Sequence, residues 1–257
     1  MKKMFAMLLA LAMCMMSVCA FAEDSDMAYV KGKGKLVVGI TDFEPMDYKD
    51  ADGDWVGFDA DLAKTFAEYL GVEVEFVEID WDSKVLELNS KNIDCVWNGM
   101  TLTDEVKSAM SCSNAYLNNA QVVVVPKDVA DKYQTVESLA GLTFAVEAGS
   151  AGEAAVTGLG LTATPVASQA DALMEVAAGT SDAAVIDALM AAAMVGDETS
   201  YASLTYTVGL TTEEYGVGFR LGSDLTEALN AFFVANYETL QEAAQAYGVQ
   251  AALIEQK

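Results

Sequence analysis

From Lys35 onward the chain alternates short β-branched runs with segments of helical period, and that alternation narrows the choice of fold more than any other feature. KLVVGI (35–40) is brief, β-branched and without helical period, which predicts a buried strand. Asp59 to Leu70 sets Leu62, Phe66 and Leu70 four residues apart, one apolar helix face, and Gly71 stops it. A strand over 72–77, a helix over 83–89 and a strand over 93–97 follow. After the apolar run 121–125 the rhythm returns, with strands over 142–146, 162–166 and 183–186 followed by helices over 151–157, 169–178 and 187–195. Such alternation implies largely parallel strands joined by crossover helices. A strand over 215–219 then leads into helices within 224–247, more helix than the second unit needs to cover its sheet. The chain is therefore expected to return to the first unit. The expected architecture is α/β with two lobes, each a mainly parallel sheet flanked by helices. Lobe 1 takes residues 23–118 plus 213–257 and lobe 2 residues 119–212, with crossings near 115–121 and 209–215.

The first 22 residues read as an export signal. Lys2 and Lys3 precede an uncharged apolar run, and Ala20-Phe21-Ala22 offers the small-x-small pattern of a signal-peptidase site before Glu23. A retained membrane anchor is the plainer alternative, since Met4 to Ala22 has just the length to span a bilayer. Neither Cys14 nor Cys19 follows a small residue, which argues against a lipid anchor. The expected location is the periplasm or the outer face of the membrane. Cys95 and Cys112 remain in the exported part, where a disulfide is chemically allowed. Their apolar, strand-like surroundings favour two buried thiols instead.

Composition removes whole classes of chemistry. No histidine means no Ser/His or Cys/His dyad and no zinc site built on imidazoles. The 39 acidic residues face 14 basic ones, of which Arg220 is the only arginine. A net charge of −25 argues against nucleic acid or anionic lipid as the main partner. Such acidity serves solubility in the plainest reading and a cationic ligand in the sharper one. Asp50-Ala-Asp-Gly-Asp54 has its glycine in the wrong place for a calcium loop and reads as a hairpin tip. Lys31 to Lys35 lacks the spacing of a phosphate-binding loop. No metal or other cofactor is expected, and methionines outside the signal read as core filler.

Specific sequence signals come as an ordered set: Lys35-Leu-Val-Val-Gly, Phe43-Glu-Pro, Val56-Gly-Phe-Asp-Ala-Asp61, Ile79-Asp-Trp81, Leu88 to Asp94, Gly99-Met-Thr-Leu-Thr-Asp-Glu105, Ser113 to Tyr116, Gly141 to Gly152, Asp182 to Asp187 and Tyr215-Gly-Val-Gly-Phe219. In order and spacing it resembles the periplasmic amino-acid-binding proteins of ABC importers (bacterial extracellular solute-binding protein family 3, type II periplasmic-binding-protein fold). The resemblance spans nearly the whole exported part. It implies two lobes with a two-strand hinge, closing as a monomer on one small solute, an amino acid or a cationic amine, and delivering it to a membrane permease without catalysis.

The same resemblance implies a ligand site, and each position also has a plainer reading. Phe43 and Trp81 match an aromatic pair that sandwiches the ligand, flat faces suited to an aliphatic stem or a cation; otherwise they are core aromatics. Gly99 and Thr101 match a loop offering a carbonyl and a hydroxyl to the ligand ammonium; otherwise they form a turn. Asp187 matches the carboxylate that pairs with that ammonium, or is a helix N-cap. Ser150 opens a helix whose N-terminus holds the ligand carboxylate, or merely caps it with Glu153. Two departures stand out. Val106 occupies the place where the family usually has an arginine clamping the α-carboxylate. Glu147 stands where relatives often carry a neutral or basic residue, and Asp42 and Asp82 adjoin the two aromatics. Lys84 or Lys107 is expected to supply a point charge in place of the arginine; otherwise the solute is cationic and lacks an α-carboxylate. A dehydratase using Glu147 as general acid, and a soluble partner of a membrane receptor, are the competing readings.

Overall fold

A computed structural model describes residues 25–257, so the expected export signal lies outside the described residues. The first element was not foreseen. Helix α1 (Asp26–Lys33) is started by Ser25, whose hydroxyl accepts from the Ala28 N–H, and ended by Gly34 at φ 75°. The Lys/Gly run thus closes a helix rather than forming a loop.

Strand β1 (Lys35–Ile40) follows as expected. Strands β2 (Tyr48–Lys49) and β3 (Trp55–Val56) form the small hairpin, with the Asp50 carboxylate accepting from the Asp52 and Asp54 N–H groups across its tip. Helix α2 (Phe58–Leu70) turns Leu62, Phe66 and Leu70 inward and stops at Gly71. Strand β4 (Glu73–Glu78), a short 3-10 turn over Trp81–Ser83, helix α3 (Lys84–Asn89) and strand β5 (Cys95–Val96) come next. Helix α4 (Asp104–Ala109), capped by Thr103, and strand β6 (Ser111–Cys112) complete this stretch.

The chain leaves through β7 (Leu117–Asn119) and enters a second sheet with β8 (Gln121–Pro126). That sheet continues through β9 (Thr143–Glu147), helix α5 (Ala151–Gly158), β10 (Thr162–Val166), helix α6 (Gln169–Ala178), β11 (Ala183–Asp187), helix α7 (Ala188–Met194) and β12 (Leu204–Gly209). The return runs through β13 (Glu213–Tyr215) and β14 (Gly218–Phe219) into helices α8 (Leu225–Ala235) and α9 (Tyr237–Ala246).

Two five-stranded sheets result, in the orders β4-β1-β5-β14-β6 and β10-β9-β11-β8-β12. Both are mixed. The strands linked by crossover helices, β4-β1-β5 and β10-β9-β11, pair in parallel. Strands β14 and β8 run antiparallel to their neighbours, because each is where the chain enters from the other sheet. Between the sheets β7 and β13 pair antiparallel, Leu117 opposite Tyr215 and Asn119 opposite Glu213. Strand β12 was missed in the sequence: it is an edge strand with a bulge, alternating buried and exposed residues only weakly.

Cys95 and Cys112, the two cysteines among the described residues, are free; Cys95 is buried as expected, and Cys112 is half-buried. Arg220 is fully used as structure. Its guanidinium pairs with Asp26 at 2.9 Å and Asp94 at 3.3 Å, and donates to the carbonyls of Leu88 and Ile93, tying α1, α3 and β5 together. No helix among the described residues is long and apolar enough to cross a membrane.

Candidate functional site

A cleft of about 430 Å³ lies between the two sheets and takes its walls from both. Parallel strands expose their carboxyl ends on one side, where loops and helix starts gather, and that is where such folds hold ligands. From the first sheet come Trp81, Lys84, Gly99, Thr101 and Val106; from the second, Glu147, Ser150 and Asp187.

Asp187 ends β11 and is 5% exposed. It stands at the N-cap of α7 but makes no capping hydrogen bond with its side chain, so the plain-cap reading does not hold. Its Oδ1 instead accepts from Gln121 Nε2 at 2.9 Å, Tyr215 OH at 2.6 Å and Asn119 Nδ2; its Oδ2 accepts from Gln169 Nε2. Burial pushes its pKa up to about 7, with the charge of Glu213 adding to the rise and the donors opposing it. Thr101 turns its hydroxyl onto Glu213 at 2.9 Å.

The Gly99 loop is held from below. Asp59 on α2 accepts from the Gly99 N–H at 2.6 Å and from Tyr116 OH at 2.7 Å. Gly99 sits at φ 55°, and a Cβ there would lie 2.5 Å from the Phe43 ring. This explains a difference from expectation at Phe43. Its ring is 1% exposed, packs edge-on to Tyr215 with centroids 6.4 Å apart, and is not among the residues lining the cleft. The loop folds over Phe43 and makes it a core aromatic, leaving Trp81 without the expected opposite face. Trp81 does line the cleft, with the Lys84 ammonium 4.8 Å from its ring centroid.

Lys84 links the two sheets. Its Nζ donates to the Trp81 carbonyl and, across the cleft, to the Gly149 carbonyl, both at 3.0 Å. Burial lowers its pKa, with Glu147 the leading charge opposing that shift. Of the two lysines expected to replace an arginine, Lys84 alone lines the cleft; Lys107 is exposed on α4 and does not. At the same crossing Gly149, at φ 70°, lies so close to Asp82 that an added Cβ would be 2.7 Å from its Cα.

The start of α5 is occupied by its own residues. Ser150 Oγ accepts from the Glu153 N–H at 3.1 Å, and Glu153 Oε2 accepts from the Gly149 N–H at 2.7 Å. A carboxylate thus already sits at the positive end of this helix. Val106 is buried on the cleft wall and contributes no charge. Glu147, at the end of β9, is 2% exposed, and its Oε1 has no hydrogen-bond partner. Burial raises its pKa to about 8; the charge of Asp187 adds to this, and Lys84, Thr41 and Gln169 act against it. Asp42 is exposed and absent from the lining, whereas Asp82 contributes to it.

Glu213, Asn119, Gln121 and Gln169 were missed in the sequence although they hold Asp187 or Thr101 in place. One signal was there: Asn119 and Gln121 flank an apolar strand at the crossing, where a polar amide requires a partner. Asp59 and Tyr116 carry no such signal.

The model of the bacterial extracellular solute-binding proteins, family 3, matches residues 36–250. The chain belongs to that family. A probable histidine-binding protein of Neisseria gonorrhoeae is 30% identical over 234 residues, covering 88% of this chain and 87% of that one. Among solved structures, the P235GK mutant of ArgBP from T. maritima superposes with a TM-score of 0.80 at 33% identity, covering 86% of this chain and 98% of that one. The ancestral amino-acid-binding protein AncCDT-1, a precursor of cyclohexadienyl dehydratase, does so at 0.79 and 31%, covering 87% and 99%. The two-lobed periplasmic-binding-protein fold is therefore this solute-binding protein's fold.

Proposed function

We propose that this family 3 protein captures an amino acid between its lobes, which we take as residues 23–118 with 213–257 and residues 119–212. It then hands the solute to the permease of an ABC importer outside the cytoplasmic membrane. The observation that carries the reading is the convergence on one cleft of Trp81 and Thr101 from one sheet and Ser150 and Asp187 from the other. Closure around a solute would complete that set, and a ligand that binds the closed form better draws the population toward it. A micromolar affinity corresponds to about −8 kcal/mol, a magnitude that one stacked solute with a few charge-assisted hydrogen bonds supplies.

Turnover is the weaker reading. A dehydratase acting on an acidic substrate needs cations around it, and Lys84 is the one base on a cleft wall that also carries Asp82, Glu105, Glu147, Glu153 and Asp187. A second binding reading has a specific basis. Val106 offers no guanidinium and Glu153 already fills the start of α5, so a cationic solute lacking an α-carboxylate suits the same cleft.

Thermal unfolding with a panel of amino acids and amines, followed by calorimetric titration, tests the proposal. A solute at about 100 times its Kd adds roughly 2.7 kcal/mol of stability. No shift with any amino acid would sink amino-acid capture; a shift with amines alone would establish the second reading.

A further inference from the structure

Glu147 is a buried carboxyl group of the cleft lining that has no ion-pair partner among the described residues. It ends β9, so the strand backbone fixes its side chain at the lining rather than leaving it free to turn to solvent. Its Oε1 is buried without a hydrogen-bond partner, and no basic nitrogen among the described residues lies within 4.0 Å of its carboxylate. Lys84 is close enough to influence it, yet both identified hydrogen bonds of its ammonium go to the Trp81 and Gly149 carbonyls. The other charged neighbour is Asp187 on β11, an anion; Thr41 and Gln169 bring neutral hydrogen-bonding groups to the carboxyl, which leave Oε1 unpartnered and supply no charge. An acceptor so placed costs free energy until a donor arrives, and a charged donor recovers the most.

We propose that Glu147 receives a cationic group of the solute, distinct from the ammonium that meets Asp187, and so sets a preference for solutes carrying an amino or guanidino group on their side chain. The inference rests on the capture reading and names the solute class for the same cleft. Trp81 fits this, since its face in the lining suits the aliphatic stem between two cationic ends. The Asp187 end is saturated by protein donors, whereas the Glu147 end has an empty acceptor. Selectivity therefore resides at Glu147.

Calorimetric titration of the full chain with L-arginine, L-lysine, L-citrulline, L-glutamine and 1,5-diaminopentane tests it, alongside Glu147→Gln. The wild-type protein should prefer arginine or lysine over the neutral pair by at least tenfold. Glu147→Gln, nearly the same shape, should cut cationic affinity at least tenfold and lower the ratio of cationic to neutral affinity by at least tenfold. A wild-type preference for the neutral pair overturns the inference without any variant and leaves amino-acid capture standing. So does an unchanged selectivity ratio in Glu147→Gln. Binding of the diamine alone, lost in Glu147→Gln, supports the cation site while overturning amino-acid capture. Binding of none of the five overturns the inference.

Discussion

Asp187 and Glu213 share their hydrogen-bond donors: Asn119 Nδ2 and Gln121 Nε2 each donate to Oδ1 of Asp187 and to Oε1 of Glu213. Two carboxylates served by the same pair of amides repel each other, and one of them holds a proton more tightly in consequence. Asp187 is that one, raised to about 7 first by burial and then by the charge of Glu213. A solute ammonium favours the ionised form, so its arrival should expel the proton. Affinity for ammonium-bearing solutes should therefore fall as pH drops below about 7. Glu213→Gln removes the repulsion and should move that fall to lower pH. Titration in two buffers of different ionisation enthalpy measures the proton released; equal release in wild type and Glu213→Gln would refute the shared-proton account.

The same chemistry sets a pH dependence of stability. Burial raises Asp59 and Asp187 to about 7 and Glu147 to about 8, against roughly 4 in the unfolded chain. Between those values the folded state binds more protons than the unfolded one, so stability falls as pH rises through the window and is flat below it. The solute-free protein should melt several degrees higher at pH 5 than at pH 8, taking about 2–4 °C per kcal/mol for a chain of this size. A melting curve rising from pH 5 to pH 8 would contradict the assignment.

Gly149 is where the lobes touch. Its φ of 70° and a prospective Cβ 2.7 Å from Asp82 Cα leave no room for a side chain while the two segments lie this close. Gly149→Ala should lower solute affinity at least tenfold, about 1.4 kcal/mol, and enlarge the radius of gyration in solution scattering with solute present. Gly160→Ala separates closure from backbone strain, since Gly160 has φ 69° and nothing within 4 Å of a prospective Cβ. The Gly160 variant should lose stability yet keep its affinity. Equal affinity losses in the two variants would mean that strain, not closure, explains both.

Arg220 is bound into lobe structure by four partners from α1, α3 and the start of β5, none of them in the cleft lining. Arg220→Met takes from Asp26, 7% exposed, its cationic partner and leaves the fully buried Asp94 with Lys33 alone, at 2.6 Å. The expected cost is about 3–5 kcal/mol, the range for breaking a buried pair. Chemical denaturation should show that loss, while solute affinity at low temperature stays within twofold. A large affinity loss in a folded Arg220→Met protein would place the arginine in the binding machinery after all.

Much of this was readable because strands and helices announce themselves by period. Lys35–Ile40, Leu62-Phe66-Leu70 and the alternation after Gln121 lead to the two sheets without any contact information. What periodicity does not carry is pairing direction: β8 and β14 run antiparallel because of where the chain crosses. The lining of the candidate cleft was legible where a motif has a fixed shape, as at Ser150 and Asp187. It was not legible where a distant residue intervenes. Phe43 is buried because the Gly99 loop, more than fifty positions later, folds over it, and Asp187 is held by Glu213 from another strand. Long-range packing of this kind has no local signature.

Val106 poses the remaining question about the ligand carboxylate. Thr103 caps α4 through the Val106 N–H at 3.1 Å, which fixes the first turn of that helix so that residue 106 lies on the cleft wall with Trp81 and Met100. A guanidinium introduced there would meet a solute carboxylate bidentately, a geometry that Lys84, committed to two carbonyls, does not offer. Val106→Arg should therefore raise affinity for neutral α-amino acids at least tenfold and leave 1,5-diaminopentane no better bound. The cleft acids compete for the same group, Glu105 and Glu147 being on the lining. If they capture it, cationic solutes lose affinity and neutral ones gain none. That outcome would mean that this cleft has no place for a carboxylate clamp, and that its acidity, not the missing arginine, decides which solute enters.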